Sequence, residues 1–497
     1  MRRCLAMLLA VLLCFSVTSA LADGFSLAGY DGGSSTTHDW STNYFFTAMQ
    51  ERTGLEVTTT QYTDSDAWTK AKADMLSGDA ELPDALFKAE LTPTETLELY
   101  EAGKLIDLRP YLEEYMPNFY ALLQEHPEWE EEISMPDGAI VALPLINELQ
   151  NNNAMWINRT WLDTLGLEMP TTADELTEVL RAFRDGDPNG NGKKDEVPLE
   201  FLSMWDLRFL GHAFGLVSDD YSLYVDEDGQ VQTTLTKDEN REFLTWLHEL
   251  WEEGLLDTDG FTTADSLRAI TDSDATITYG LMLAPTPLSL VPSSALDQYE
   301  LLMPLTYNGK QTYRDLLGDL VRGTFAVTSA CEDPGTVLSW VDYLYTEEGC
   351  HLMQAGEEGV DYQFNNDGTW NWIPSNEEVT ASVLPDKTIA DGGTQPGLSS
   401  VSFQLAFDQK ETKTIITQLA KLKEVSVQPM PLVTMNKTQS ERVSAIQADL
   451  GYYAEVTMTR FVTGDISLND DTWQEFCQTV HDKGIDELIS IWQEAIQ

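Results

Sequence analysis

Basic residues are scarce in this 497-residue chain: 29 lysines and arginines stand against 83 aspartates and glutamates, a formal net charge of −54. So acidic a surface repels phosphate backbones and anionic lipid headgroups at long range, which excludes nucleic acid as a partner. Histidine is rarer still, 6 residues scattered along the chain. None falls in an HExxH pattern, because "HELWE" at 248–252 ends in glutamate, and neither GxSxG nor a Cys/His zinc spacing occurs. Of the 5 cysteines, Cys331, Cys350 and Cys477 lie beyond the N-terminal region at spacings that match no metal motif. They leave room for one disulfide but exclude a disulfide scaffold. After the first residues there is no apolar run of about 20, the length a membrane-spanning helix needs. Internal repeats and a wall-anchoring tail are missing too, which argues against an adhesive surface protein.

The N-terminus does carry an apolar stretch. Arg2 and Arg3 precede Leu5–Phe15, and Ala20 and Ala22 flank Leu21, the order of a cleavable export signal covering residues 1–22. The mature chain then starts at Asp23 with a net charge of −56. Leu13 precedes Cys14 where a lipobox requires a small residue, which argues against a lipid anchor. The length exceeds what one hydrophobic core supports and predicts two lobes. Acid runs such as "EHPEWEEE" (125–132) read as solvated helix faces.

Strand-like and helical segments alternate, the rhythm of an α/β fold. "FSLAGYDG" is extended, Asn43–Thr53 is helical with Gly54 as its stop, and "LEVTTTQY" is a second strand. "DSDAWTKAKADMLSG" is again helical and "LPDALFKA" again a strand. Thr92, Pro93 and Glu95 open a helix through a capping box, with Gly103 as terminator; Thr172 and Glu175 repeat the pattern. Leu176, Val179, Leu180 and Phe183 recur at i, i+3, i+4 and i+7, one buried face. With no long linker, the lobes are joined by short crossings, expected at 145–153, near 275 and near 329. These place 23–148 and 276–328 in lobe 1, and 149–275 and 329–497 in lobe 2.

"DPNGNGKKDE" follows that second helix. With Asp187 as position one, Asn189, Asn191, Gly192, Lys193 and Asp195 fall at three, five, six, seven and nine, the order of oxygen donors in an EF-hand calcium loop. Calcium takes about six to eight oxygens, here carboxylates, amides and the Lys193 carbonyl, while Gly192 permits the sharp turn. Position twelve is Pro198 where an EF-hand has glutamate; Glu196 is the substitute donor. The competing reading is an ordinary Asn-Gly turn. A phosphate loop is disfavoured, since the glycine spacing is one residue too long and no Ser or Thr follows Lys193.

"WINRTWLDTLGLEMPTTADELTEVLRAFRDGDPNGNGKKDEVPL" resembles the extracellular solute-binding proteins of carbohydrate ABC transporters, in particular their long, calcium-carrying branch that includes alginate-oligosaccharide-binding proteins. "ERTGLEV", "AGKLIDLRPYLEEYMPN", "PDGAIVALPLIN", "YLYTEEGCHLMQAGEEGVDYQF" and the C-terminal "FVTGDISLNDDTWQEFCQTVHDKGIDELISIWQEA" extend the likeness over nearly the whole mature chain. The resemblance implies a two-lobed, type II periplasmic-binding-protein-like fold, with hinged lobes and a ligand cleft between them. It also implies calcium ligands at Asp187, Asn189, Asn191, Lys193 (carbonyl), Asp195 and Glu196, and an exported monomer that delivers its ligand to a membrane permease and its ATPase.

A sugar offers apolar C–H faces rimmed by hydroxyls and needs aromatic platforms edged by amides and acids. Trp370 and Trp372 in "GTWNW" share one face if extended, with core packing as the rival reading. Trp40 lies in a loop after the first strand, where doubly wound sheets place their ligand crevice. Asn147, Gln150, Asn151, Asn152 and Asn153 cluster at the first expected crossing, and Trp205 follows the calcium loop. Trp161, Trp246 and Trp251 sit on helical patterns and are assigned to packing. The rival function is a secreted glycoside hydrolase or polysaccharide lyase, but 83 acids put some pairs together by chance and no base is evident. The sequence therefore favours a binder, not an enzyme, and its charge favours a neutral oligosaccharide over a polyuronate.

Overall fold

The helices announced by capping signals form where their caps direct. In the computed structural model, which describes residues 24–32, 38–149, 153–263, 268–373, 386–390 and 392–496, Thr92 and Glu95 close a reciprocal capping box on the helix Pro93–Glu101. The expected leader, Gln150, Asn151 and Asn152 lie outside the described residues. Thr172 caps the helix Ala173–Asp185, but its box is half made: the Glu175 carboxylate reaches one residue further, accepting from the Thr171 N–H and hydroxyl at 2.8 Å each. Leu176, Val179, Leu180 and Phe183 are all buried as the periodicity requires. Each such side chain contributes about 1.5–3 kcal/mol relative to exposure.

In chain order the strands are β1 (Phe25–Tyr30), β2 (Val57–Tyr62), β3 (Ala85–Phe87), β4 (Leu143–Asn147), β5 (Ala154–Asn158), β6 (Val197–Glu200), β7 (Leu223–Val225) and β8 (Val231–Thr233). They continue with β9 (Tyr279–Ala284), β10 (Tyr299–Leu301), β11 (Tyr313–Arg314), β12 (Leu320–Val327), β13 (Tyr362–Phe364), β14 (Trp370–Trp372), β15 (Gly397–Ser399) and β16 (Ser426–Val427). One sheet has the order β15-β4-β12-β3-β1-β2, the other β10-β5-β9-β6. The first is parallel except for β12, which runs antiparallel to β3 and β4.

Side chains alternate across both sheets and build a core on each face. In the first, Leu27 and Phe87 enter one cluster while Ala28 and Leu86 enter another. In the second, Met155, Ile157, Leu281 and Leu283 face one core and Ala154, Trp156, Met282 and Ala284 the opposite one. Helices cover both faces, the long helix Lys437–Val462 and the C-terminal Ile485–Ala495 closing the larger core of the second sheet.

Strand pairing divides the chain differently from the sequence reading at two of three crossings. β9 and β10, expected in lobe 1, pair with β5 and β6 of the second sheet. Val337, Leu338, Trp340 and Val341, expected in lobe 2, pack in the core of the first sheet, and β15 joins β4. The chain thus passes between sheets after β4, between β11 and β12, and after β15. An apolar strand pattern states that a segment is buried; which sheet accepts it depends on hydrogen-bond partners far away in sequence. The three cysteines are free thiols. No helix among the described residues is long and apolar enough to cross a membrane.

Candidate functional site: an acid-floored cleft between the two sheets' lobes

A cavity of about 480 Å³ opens between the lobes. The first lobe supplies Thr92–Thr94, at the start of the helix Pro93–Glu101, and Arg322 of β12. The second supplies Asp219, Asp220 and Tyr221, then Ser444 and Gln447 of the long helix and Trp492 of the last. Asp315 and Leu316, just after β11, and Gln428–Val433, just after β16, complete the wall. The size falls within the range of small-molecule sites, roughly 300–1,000 Å³. Arg322 reaches the wall through a break in β12: Gly323 has φ +73°, and a Cβ there would lie 2.0 Å from the Leu91 carbonyl oxygen, so only glycine lets the strands come this close. The Arg322 guanidinium donates to the carbonyls of Glu132 and Val433 at 3.3 and 3.2 Å, and burial lowers its pKa to about 10.

The second-lobe floor is tied by hydrogen bonds. Asp219 folds the turn over itself, its carboxylate accepting from the N–H groups of Tyr221 and Leu223 at 2.9 and 2.7 Å. Burial pushes its pKa up to about 6 against those hydrogen bonds. Ser222 closes the turn at φ +65°, a left-handed conformation unusual for serine. Oδ1 of Asp220 accepts from the Trp205 indole N–H at 2.6 Å and from the Arg314 guanidinium at 2.9 Å. Arg314 is almost wholly buried, its guanidinium 4.7 Å from the Phe209 ring centroid and 6.0 Å from that of Trp205, and desolvation lowers its pKa to about 10. Tyr221 keeps 41 % of its surface exposed. The exposed Tyr221 phenol, the half-buried Trp492 indole and the fixed Asp220 carboxylate, all lining the cavity, are groups that suit a sugar's mixed surface.

The structure separates the sequence candidates. Trp40 is buried in the first lobe, its indole N–H donating to Asp31 Oδ2 at 2.9 Å and its ring packed edge-on to Phe87 at 5.5 Å. Asp31 also receives Lys88 at 2.9 Å and contacts His38 at 2.9 Å; burial raises the carboxyl's pKa, but these partners outweigh it and hold it below the usual range. Trp40 therefore offers no free face to a ligand, because its indole turns inward to satisfy a buried acid. Trp370 and Trp372 share a face of β14, 5.4 Å apart. Trp370 is sandwiched between Phe403 and Phe407 at 4.6 and 4.3 Å, with its N–H on the Phe403 carbonyl, so its role is packing; Trp372 stays half-buried beside it. Asn147 ties crossing segments together, donating its N–H to the Asp319 carbonyl at 2.8 Å and accepting from Gln404 at 3.3 Å. Asn153 is buried and donates to Asp206 at 2.6 Å. Trp161 and Trp246 are core residues and Trp251 is half-buried against the same core. Of the sequence candidates among the described residues, Trp205 alone touches a residue of the cleft wall, through its N–H on Asp220, and it does not itself line the cavity. Asp220, Arg314, Tyr221, Arg322 and Trp492 carry no local sequence signature and were missed.

The loop 187–196 links the helix Ala173–Asp185 to the start of β6, and none of its residues lines the cleft. Its backbone curls around its own side chains: the Gly192 N–H donates to the Asp187 carboxylate at 3.1 Å, Asn191 N–H to Asn189 Oδ1 at 3.0 Å and Lys193 N–H to Asn191 Oδ1 at 2.7 Å. Asp187, at φ +48°, and Gly192, at φ +73°, supply the left-handed turns. Asp195 draws in the amides of Asn191 and Asn189 at 3.0 and 3.3 Å. Glu196 Oε1 is buried without a hydrogen-bond partner, and burial, then the nearby Asp195 and Asp187 charges, push its carboxyl up. One unpartnered carboxylate oxygen of the half-buried Glu196, with Asp195 and Asp187 nearby, fits a cation. No three His, Cys, Asp or Glu side chains converge at metal-binding distance among the described residues, so a full set would draw on the Asn amides and a backbone carbonyl.

The pneumococcal fructooligosaccharide ABC transporter substrate-binding protein FusA (Streptococcus pneumoniae) is 28% identical to this chain over 472 residues, covering 90% of this chain and 85% of FusA. The FusA structure in complex with kestose matches with a TM-score of 0.69 at 24% identity, covering 95% of this chain and 98% of that one, as does a FusA EF-hand mutant in complex with fructo-nystose. A human-milk-oligosaccharide-binding, ABC-transporter-associated solute-binding protein from Bifidobacterium longum infantis superposes with a TM-score of 0.78 at 20% identity, over 95% of this chain and 98% of its own. The alginate-binding protein AlgQ2, in a structure without calcium ion, gives 0.65 at 20% identity over 96% and 98%. Residues 33–349 match the model of the bacterial extracellular solute-binding proteins, and with its two-lobed α/β fold the chain belongs to that family.

Proposed function

We propose that this protein captures a neutral oligosaccharide in the interlobe cleft, closes over it by hinge motion at the three crossings, and hands it intact to the permease subunits of an ABC importer. The observation that carries this reading is the cleft itself, where segments of both lobes meet around the fixed acid Asp220, the exposed Tyr221 and Trp492. FusA's fructooligosaccharide ligand makes short fructans the first compounds to test. The formal net charge of −54 and the carboxylates of the floor disfavour uronate chains, whose charge would be repelled on approach.

Residues 1–22 are removed on export and the mature protein works as a monomer at the outer face of the membrane. In the loop 187–196 we assign calcium to Asp187, Asn189, Asn191, the Lys193 carbonyl, Asp195 and Glu196, where its charge would offset the mutual repulsion of three acids. The ion is structural, since none of these residues lines the cleft.

The decisive experiment is a melting screen over kestose, nystose, maltotriose, xylotriose, trigalacturonate and trimannuronate, followed by chromatography of the recovered glycan. A shift with a neutral member and unchanged sugar is expected. Chain cleavage would mean a hydrolase or lyase, and preferential binding of the uronates would overturn the neutral-ligand assignment.

A further inference from the structure

Asp220 is held at three points although it lies on the open wall of the cleft. Its Oδ1 is taken by Trp205 Nε1 at 2.6 Å and Arg314 Nη2 at 2.9 Å, and its carbonyl accepts from Arg208 Nη1 at 2.7 Å. Arg208 is itself tied to Glu455 of the long helix at 3.2 Å. The turn before it is locked by the Asp219 carboxylate, and the residue after the exposed Tyr221 sits at φ +65°. Oδ1 is engaged by two donors, yet the side chain remains 46 % exposed on the wall of the cleft. A carboxylate so fixed accepts hydroxyl donors without first losing rotamer freedom, and a charge-assisted hydrogen bond is about twice as strong as a neutral one.

Arg314 is placed for more than packing. It is the last residue of β11, paired with Val427 of β16, and the next residue, Asp315, begins the passage toward β12. Asp315 in turn organises that passage, its N–H bonded to the Val427 carbonyl at 2.9 Å and its carboxylate accepting from the Gly318 N–H at 3.0 Å. One buried guanidinium therefore touches the cleft acid while standing on the segment whose backbone must bend if the lobes move.

We propose that Asp220 is the acid that receives the ligand's hydroxyl groups, and that Arg314 is its positioning residue, tying the second crossing to the occupied site. This rests on the reading of the protein as an oligosaccharide binder and names the residues that set its affinity. Because the anchor is an anion, a glycan whose hydroxyl at this point is replaced by a carboxylate is rejected.

The test uses the mature full-length chain and whichever of kestose, nystose, maltotriose and xylotriose gives the largest melting shift. Calorimetric titration is expected to show at least tenfold weaker binding for Asp220→Asn and for Asp220→Ala, with folding retained. Arg314→Lys is expected to weaken binding in the wild-type background but to add nothing in the Asp220→Asn background, since it acts through that carboxylate. Equal weakening in both backgrounds would make Arg314 merely structural and overturn its positioning role. Should Arg314→Lys lose its cooperative melt, Trp205→Phe replaces it in the same cycle, because it removes the other donor to Oδ1 and keeps an aromatic ring. Wild-type affinity in both Asp220 variants would overturn the proposal while leaving the binder reading intact; no binding of any of the four glycans to wild type would sink the binder reading itself.

Discussion

The loop at 187–196 and the cleft around Asp220 use the same chemistry, carboxylates held by N–H donors, yet they are assembled in opposite ways. In the loop, ten consecutive residues supply every expected donor, and the turns follow from their own φ values. In the cleft, one acid from the turn after Ser218 is held by an indole 15 residues earlier and a guanidinium 94 residues later, and the walls come from positions as distant as Thr92 and Trp492. A local device can be written in sequence as a spacing. A site made by tertiary contact has no spacing to read, and its residues look like any other polar surface until the fold brings them together.

The comparison breaks or sharpens at several positions, beginning with the largest expected effect. Trp370→Ala, which removes a ring stacked between Phe403 and Phe407, should cost about 3–5 kcal/mol in denaturant unfolding. Its folded fraction should bind glycan as wild type does; a large loss of affinity instead would restore Trp370 to the site. Asp187→Ala should lower the melting temperature in calcium and not in chelator, by an amount equivalent to about 2.7 kcal/mol at a hundredfold excess of calcium over its dissociation constant. Equal loss in both conditions would show that the loop holds no ion.

Asp219 gives a pH signature within the cleft. Its pKa is raised by burial from 3.8 to about 6, so between these values the folded state binds more protons than the unfolded state. Stability should therefore fall as pH rises from about 4 to about 6 on account of this group, and the penalty should persist above. Asp219→Asn keeps an acceptor for the Tyr221 and Leu223 N–H groups and should flatten that part of the stability profile; an unchanged profile would mean that Asp219 stays ionised throughout. The smallest effect is expected at Thr172→Ala, which removes the cap from the helix leading into the loop and should cost about 1 kcal/mol with or without calcium.

How much could be read in advance follows the same division. Helix starts at Thr92 and Thr172, the buried face from Leu176 to Phe183 and the α/β alternation were legible, because capping and periodicity are properties of neighbours. The second and third crossings were not, because nothing in "ATITYGLML" tells it to join β5 and β6 rather than β4. Among the aromatics, polar flanks misled: "NNDGTWNW" surrounds a tryptophan that the segment 401–407 covers, and Trp40 follows a Gly/Ser-rich loop yet turns inward to a buried Asp31. Trp205 was recognisable as an aromatic near the loop, but the Asp220–Arg314 pair that fixes it joins two sequence regions with no shared pattern.

Small-angle scattering on the mature chain, free and saturated with the tightest-binding neutral trisaccharide, addresses the clamp itself. A smaller radius of gyration in the bound state, with the same trisaccharide recovered afterwards, is the predicted result. Identical scattering curves for a saturated and an empty protein would contradict closure of the two lobes on their ligand.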